Sequence, residues 1–324
     1  MRRTLLGFAF LAFVVLFLFS FTLVSGSSAL HAEDVWHSLI GNAPVFVDEI
    51  VWQIRIPKAC AALFAGISLG VSGLVLQSVF KNPLAGPFVL GVSSGANLGV
   101  ALVLLAGLGR GSFGIVPCAA VGAFAVIVLI LFASKFISHP VSLLIVGLML
   151  GYFVDAVVSF LMYTSSAEAL RGFMAWGFGS FSRLLLADVP FFGAVSLAGL
   201  FLSVVGIRYL NAAQVSDSFA ESLGVNVKMF RLLVLSGSSL LAAGATVYCG
   251  PIGFLGLVSP HIAFGIFRTS NHRILLPATA FVGAALALLS GLFDSVPLSA
   301  VTSLFGAPIV FWVLLRSKSG GRNA

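Results

Sequence analysis

Long apolar runs broken by short polar punctuation organise this chain from end to end. A helix that crosses a bilayer needs about 20 mostly apolar residues. Windows of that kind fall at 4–26, 57–79, 93–108, 113–133, 141–163, 189–207, 229–249, 252–267, 274–293 and 299–315. The pattern predicts an all-α integral membrane protein with about ten transmembrane helices. The third and eighth windows are short and rich in glycine, so tilted, broken or partly spanning helices are expected there. Residues 1–26 form the expected first helix. Their apolar run exceeds the roughly 7–15 residues of a secretory signal core, and no A-x-A cleavage site follows, so the helix is read as retained.

Two polar interruptions stand out. Residues 28–56 carry Trp36, Trp52 and Asp48-Glu49 and suit an external interfacial segment. Residues 208–228 form the longest connection on the opposite side. Within it, Ala220, Leu223 and Gly224 interleave with Asp217, Glu221 and Ser222, which predicts a short amphipathic helix ending at a glycine cap. That segment reads equally as an interfacial loop or as a docking surface.

The stretch from Asn82 to Gly95, NPLAGPFVLGVSSG, holds two prolines and three glycines between apolar runs. Proline removes a backbone donor and glycine weakens a helix. In lipid, such irregular backbone survives only inside protein or along a wetted path. Its core, Gly86-Pro87-Phe88-Val89-Leu90-Gly91-Val92-Ser93, is echoed by Gly250-Pro251-Ile252-Gly253-Phe254-Leu255-Gly256-Leu257-Val258-Ser259. Each copy follows an apolar helix and opens a short span, and alternation puts the two at opposite faces. Paired broken segments in inverted halves mark transporter architecture. An inverted-repeat-like arrangement is therefore expected, with Asn82, Pro83, Gly86, Pro87, Gly91, Ser93, Ser94, Gly95, Gly250, Pro251, Gly253, Gly256, Pro260 and His261 lining the pathway or packing its helices.

Composition removes the soluble alternatives. Hydrophobic residues make up 60% of the chain and charged residues 8%, against about 25% charge in a soluble domain; the mean hydropathy is +1.14. A net charge of +7 would suit nucleic acid, but the basic residues are scattered singly. They read as topology signals. With the N-terminus in the cytoplasm, twelve of the 17 basic residues fall inside. The other five are Arg55, Lys58, Arg110, Arg171 and Arg183. Both termini are expected in the cytoplasm. Cys60, Cys118 and Cys249 lie far apart in apolar stretches and read as packing residues.

Other chemistry is thinner. Gly91-Val92-Ser93-Ser94-Gly95 fits G-x-S-x-G, and with His261 as base it would suit an intramembrane serine protease, but that motif acts as a nucleophile elbow only between strand and helix. Asp155 lies inside the fifth span, where acids are functional candidates, so a proton-coupled secondary transporter is the alternative class. His31, Glu33, Asp34 and His37 are close enough to consider as an external metal site, yet read as solvated polar residues. The Gly66/Gly70, Gly95/Gly99 and Gly147/Gly151 pairs, each four apart, suit close helix approach.

Several stretches together resemble one family, in its order, from about residue 50 to 315: Arg55-Ile56-Pro57-Lys58, Asn82 to Gly95, Leu170-Arg171 through Trp176, Ser222-Leu223-Gly224-Val225, Gly250 to His261, His272-Arg273 through Pro277, and Gly306-Ala307-Pro308. The chain is identified as similar to the FecCD permease family, the permease subunits of ABC importers for iron-siderophores, haem and vitamin B12. The resemblance implies a single permease domain over 1–324 that pairs with a second permease subunit, the same chain or a related one, around a shared path. It implies two cytoplasmic ATPase subunits and an extracytoplasmic substrate-binding protein. It also implies a cytoplasmic-membrane location, an iron chelate or related metal-macrocycle as cargo, and no nucleic-acid partner. On this resemblance, Ser216, Asp217, Ala220, Glu221, Leu223, Gly224, Val225 and Asn226 form the ATPase-coupling segment, while Arg55 and Lys58 meet the binding protein. No GxxxxGK[ST] occurs, so ATP and Mg²⁺ belong to the partner ATPase; the chain is expected to bind no cofactor or metal and to catalyse no reaction. It departs from the family pattern at Asp294-Ser295-Val296-Pro297, a shortened connection without the usual arginine and glutamate, and near Phe264, where a basic residue is replaced and only Arg268 follows.

Overall fold

The computed structural model describes residues 2–26, 30–108, 114–137, 140–293 and 295–320. Arg110, Asp294 and the last basic residue, Arg322, lie outside the described residues. The elements are helices, with no strand among the described residues: α1 (Arg2–Val24), α2 (Ala32–Leu39), α3 (Val45–Glu49), α4 (Ile56–Phe80), α5 (Val92–Leu104), α6 (Ile115–Phe136), α7 (Pro140–Thr164), α8 (Ala167–Gly177), α9 (Val189–Val205), α10 (Ile207–Ala213), α11 (Asp217–Ser222), α12 (Val227–Cys249), α13 (Leu255–Phe267), α14 (His272–Ser290) and α15 (Leu298–Gly320). Every expected apolar window coincides with a helix. Seven helical stretches are long and apolar enough to cross a membrane; α5, α13 and the apolar part of α15, Leu298–Phe311, are shorter.

Part of the segment 28–56, expected as an interfacial connection, is helix. A π-helical stretch, Ile50–Arg55, joins α3 to α4, giving one helical rod from Val45 to Phe80, 36 residues long. At 1.5 Å per residue it measures about 54 Å, well beyond a hydrocarbon core of about 30 Å. The rod is thus longer than a single crossing requires. The polar residues Asp48 and Glu49 lie in its first turns. The helix α8 was not expected as an element; Ser166 caps it, its hydroxyl accepting from the Ala169 amide at 3.3 Å.

Burial separates centre from rim. Among the spanning stretches, 78% of the apolar window is buried in both α4 and α12, against 22% in α1 and α7. Lipid cannot drive apolar helices together, so the centre is held by close backbone approach and interhelical hydroxyl contacts. A Cβ on Gly66 would overlap the Gly283 carbonyl, and one on Gly73 would overlap the Gly256 carbonyl. Gly95 meets Gly122 and Gly99 meets Cys118 in the same way. Hydroxyl pairs add to these contacts: Ser68 with Ser196 at 3.0 Å, Ser72 with Ser238 at 2.8 Å and Ser93 with Thr246 at 3.1 Å. The close approaches expected at Gly66/Gly70 and Gly95/Gly99 are present.

Candidate functional site

The two broken segments lean on each other; Ala85, Gly86, Pro87 and Leu90 of the first and Ile252, Leu255 and Gly256 of the second are buried, while Lys81, Pro83, Leu84 and Phe88 are exposed. Lys81 ends α4 in the left-handed region, with φ 48°. The chain then turns at Asn82, whose side chain accepts from the Leu84 amide at 2.9 Å and whose carbonyl accepts from Ala85 at 3.0 Å. It rises through Pro83 and Gly86 to a single 3-10 turn at Pro87–Leu90. Gly91, at φ 69°, starts α5. The second segment leaves α12 at Gly250, φ 77°, runs through Pro251, Ile252 and Gly253, and enters α13 at Phe254 with φ 64°. A positive φ in an aromatic residue holds on the order of 1–3 kcal/mol of strain. Gly306 of α15 has no side chain to obstruct it: a Cβ there would collide with the Phe254 Cβ.

The two segments enter from opposite ends of the bundle. Gly250 adjoins the Trp176 carbonyl and the Arg183 guanidinium at one end. Lys81 and Asn82 share the other end with Gln214, Ser270 and His272. Between them, Gly256 abuts the Pro87 ring, where a Cβ would sit 2.6 Å from Cδ. Gly86 faces Leu257. Gln77 Nε2 donates to the Leu257 carbonyl at 3.3 Å, and His261 Nε2 lies 3.1 Å from the Pro83 carbonyl. Pro260 removes the amide that would bond the Gly256 carbonyl within α13, the same carbonyl that faces Gly73. Small residues thus let two irregular backbones share the middle of the bundle.

At the Lys81 end, α10 and α11 form a compact cap. The Ser216 hydroxyl accepts from the Phe219 amide at 2.9 Å and caps α11. Gly224, φ 77°, closes it: its amide bonds the Glu221 carbonyl at 2.9 Å, and the Val225 amide bonds Ala220 at 3.1 Å. This is a Schellman arrangement, and it places the end of the helix where the sequence predicts it. Asn226 caps α12 through the Met229 amide at 3.0 Å. Ala220 is buried, Asp217 pairs with Arg231 at 2.5 Å, and Arg231 Nε reaches the Tyr209 hydroxyl at 3.4 Å. Burial raises the Tyr209 phenol above its usual range, against the pull of Arg231, and so keeps it neutral. Glu221 and Leu223 face outward.

Sequence reading named Leu223 on this outward side but missed Val215 and Phe219. Val215, Phe219 and Leu223 are all exposed, at 68%, 43% and 60%. Phe219 and Leu223 stand four residues apart, at α11 and its C-cap, a spacing that was available in the sequence and marks one helical face; Val215 lies in the turn that precedes the Ser216 cap. Met229 is exposed nearby. These exposed apolar side chains are interspersed in sequence with exposed Ser218, Glu221 and Lys228, a composition that suits an interaction site.

Arg55 and Lys58 sit at the opposite end, but neither is a free-standing rim charge in this chain. Arg55 is 4% exposed and Lys58 8%. The Arg55 guanidinium donates to the Leu23 and Val24 carbonyls at 2.7 and 2.9 Å, satisfying the C-terminal end of α1 as a cation there should. Both residues line a cavity of about 540 Å³ with Phe178, Ser180, Ser290 and Pro297. Arg183 stabilises the adjoining wall by donating to the Trp176 carbonyl at 2.9 Å and to that of Ala175.

The residues of the protease reading are engaged separately: Ser93 with Thr246 and His261 with Pro83. Ser94 faces Gly151. No cluster of three His, Cys, Asp or Glu residues suited to a metal occurs among the described residues; the Asp34 carboxylate instead accepts from the His31 amide at 2.8 Å. Cys249 is buried, while Cys60 and Cys118 are only partly so. Asp155 is on the outside of α7, in line with Tyr152, Ser159 and Tyr163, all exposed.

Comparison with known proteins places this arrangement. The vitamin B12 import system permease protein BtuC of Yersinia enterocolitica is 37% identical over 280 residues, covering 83% of this chain and 82% of that protein. The hemin transport system permease protein HmuU of Yersinia pestis is 32% identical over 333 residues, covering 98% and 96%. A solved structure described as an inward-facing conformation of a metal-chelate type ABC transporter superposes with a TM-score of 0.83 at 29% identity, over 96% of this chain and 99% of the other. The model of the FecCD transport family matches residues 12–316, and with the paired broken segments and helical cap in place, the chain is a multi-pass membrane protein that belongs to that family.

Proposed function

We propose that this chain is the permease subunit of an ATP-driven importer that carries a metal chelate or metal-macrocycle, of the class that includes haem, vitamin B12 and iron-siderophores, into the cytoplasm across the cytoplasmic membrane. The observation that carries the reading is the run of exposed apolar side chains Val215, Phe219 and Leu223 on and beside α11. It is held by the Asp217–Arg231 pair at the same end as the Lys81–Gly91 segment. A surface of that kind, beside a broken transmembrane element, suits a soluble motor that pushes on it. The names of the similar proteins support the cargo class. With the cap in the cytoplasm, both termini are cytoplasmic, and Arg55 and Lys58 lie at the external mouth, where a binding protein would dock and deliver cargo.

A second permease subunit follows from α7. Tyr152, Asp155, Ser159 and Tyr163 repeat at helical spacing and are exposed. A carboxylate facing lipid near the middle of a span is costly. A second subunit enclosing a wetted path would cover this face.

The test is to purify the tagged chain gently from native membranes. A stoichiometric partner bearing GxxxxGK[ST], with ATP hydrolysis in liposomes stimulated by an external binding protein, is the expected result. Asp155 also favours a second reading, a proton-coupled carrier. Asp155→Asn separates the two: ATP-driven uptake should keep its pH profile, whereas uptake by a proton-coupled carrier would lose its pH dependence. Uptake against pH, measured in proteoliposomes with and without ATP, decides between them.

A further inference from the structure

At the first residue of α14, fully buried His272 joins three elements that are distant in sequence. Its Nε2 lies 2.7 Å from Ser78 Oγ on α4, and Ser78 Oγ lies 2.8 Å from the Leu74 carbonyl. Its Nδ1 lies 2.9 Å from Asn211 Oδ1 on α10 and 3.1 Å from Gln214 Nε2. The His272 amide donates to the same Asn211 oxygen at 2.8 Å, and Gln214 Nε2 donates to the Ser270 carbonyl at 2.7 Å. Both ring nitrogens are therefore within reach of side chains from two elements, α4 and α10. Asn211 Nδ2 adds a bond to Asn271 at 3.1 Å, fixing the turn before α14.

The position of this node gives it meaning. From α10 the chain reaches Ser216 and α11 within three residues, and the Asp217–Arg231–Tyr209 contacts bind α11 to α10 and α12. From Ser78, two residues lead to the end of α4 and then directly into Lys81–Gly91. One turn and a half above Ser78, Gly73 carries the second broken segment at Gly256. A displacement of the cap thus has a continuous polar connection, through one buried ring, to the helix on which both broken segments rest. Such buried polar contacts are directional and stiff when satisfied. The apolar contacts around them can slide.

We propose that His272 is the positioning residue that transmits movement of the α10–α11 cap to α4, and through α4 to the broken segments. This rests on the importer reading, since only a motor on the cap would use the link. Coupling between distant sites requires an element with two states that both sites bias; the Lys81–Gly91 segment is that element, and its exposed Leu84 reports its state.

The experiment uses the complete complex in liposomes, with Leu84→Cys as reporter in a background lacking Cys60, Cys118 and Cys249. The rate of modification by a membrane-impermeant maleimide is measured without nucleotide and with ATP plus vanadate, alongside capture of the ATPase subunit. The native His272 protein should show about a tenfold nucleotide-dependent change in rate, within the usual range of coupling between sites. His272→Ala should retain the ATPase and lose that change, and cargo moved per ATP hydrolysed should fall by a similar factor. Ser78→Ala, which removes only the α4 side, should do the same even where the His272 variant fails to insert. In the double variant the losses should not add, because both cut one link. An undiminished nucleotide-dependent change in His272→Ala or Ser78→Ala would overturn the proposal while leaving the importer reading intact. Absence of any captured ATPase from the native complex would instead remove the importer reading, and this proposal with it.

Discussion

Leu223→Asp is expected to abolish ATP-driven uptake while leaving the chain inserted and folded. Leu223 is exposed, four residues after the exposed Phe219 of α11. Nothing in the interior depends on it, so the substitution should leave thermal stability in detergent unchanged. At a docking surface the effect is large, because a carboxylate at the centre of an apolar contact must be desolvated without a partner. Central positions of such patches carry 2 kcal/mol or more of binding, about 30-fold in affinity. The measurement is retention of the ATPase subunit on the tagged permease, with uptake in the same membranes. Gly224→Asp offers a contrast. Gly224 holds φ 77°, so a side chain there strains the turn by about 1–2 kcal/mol and should loosen the cap even before docking. Normal uptake by Leu223→Asp would show that this face does not meet the motor.

Gly73→Ala should be the most damaging glycine-to-alanine change among the described residues. A Cβ at Gly73 would coincide with the backbone of Gly256 in the second broken segment. Both partners are main chain, so no rotamer change relieves the overlap, and α4 and α13 must separate. Overpacking of this kind costs about 1–3 kcal/mol even where side chains can give way, and here they cannot. The expected outcome is a fall in thermal midpoint together with loss of uptake. Gly172→Ala and Gly265→Ala are the controls: a Cβ at either meets nothing within 4 Å, and both should behave as the native protein. If Gly73→Ala matched those controls, close approach of α4 to α13 would not be what holds the segments together.

The same residues show how far the sequence could be read. The helical windows were legible because lipid imposes length and polarity on every crossing element. Asn82–Gly95 and Gly250–Gly256 were legible because clustered proline and glycine break a continuous helix. Gly224 marked its helix end because only a left-handed residue closes that motif cheaply. Arg55 illustrates the converse. Its charge pattern placed it outside, but only folding brought it under the C-terminus of α1, 31 residues from Val24. The helix α8 escaped notice because a search for membrane-length apolar windows of about 20 residues passes over an eleven-residue amphipathic helix, although its apolar face is well marked.

By itself, then, the sequence determined that this is a helical membrane protein, where its long apolar helices run, and which two stretches interrupt them. These properties follow from local chemistry and from the solvent each residue must meet. The tertiary structure alone decided that the two interruptions touch, that Gly73 and Gly256 share one contact, and that His272 joins α4 to the cap across 194 residues of chain. Such contacts depend on distances between elements remote in sequence, and residue type constrains those distances only after the helices have packed.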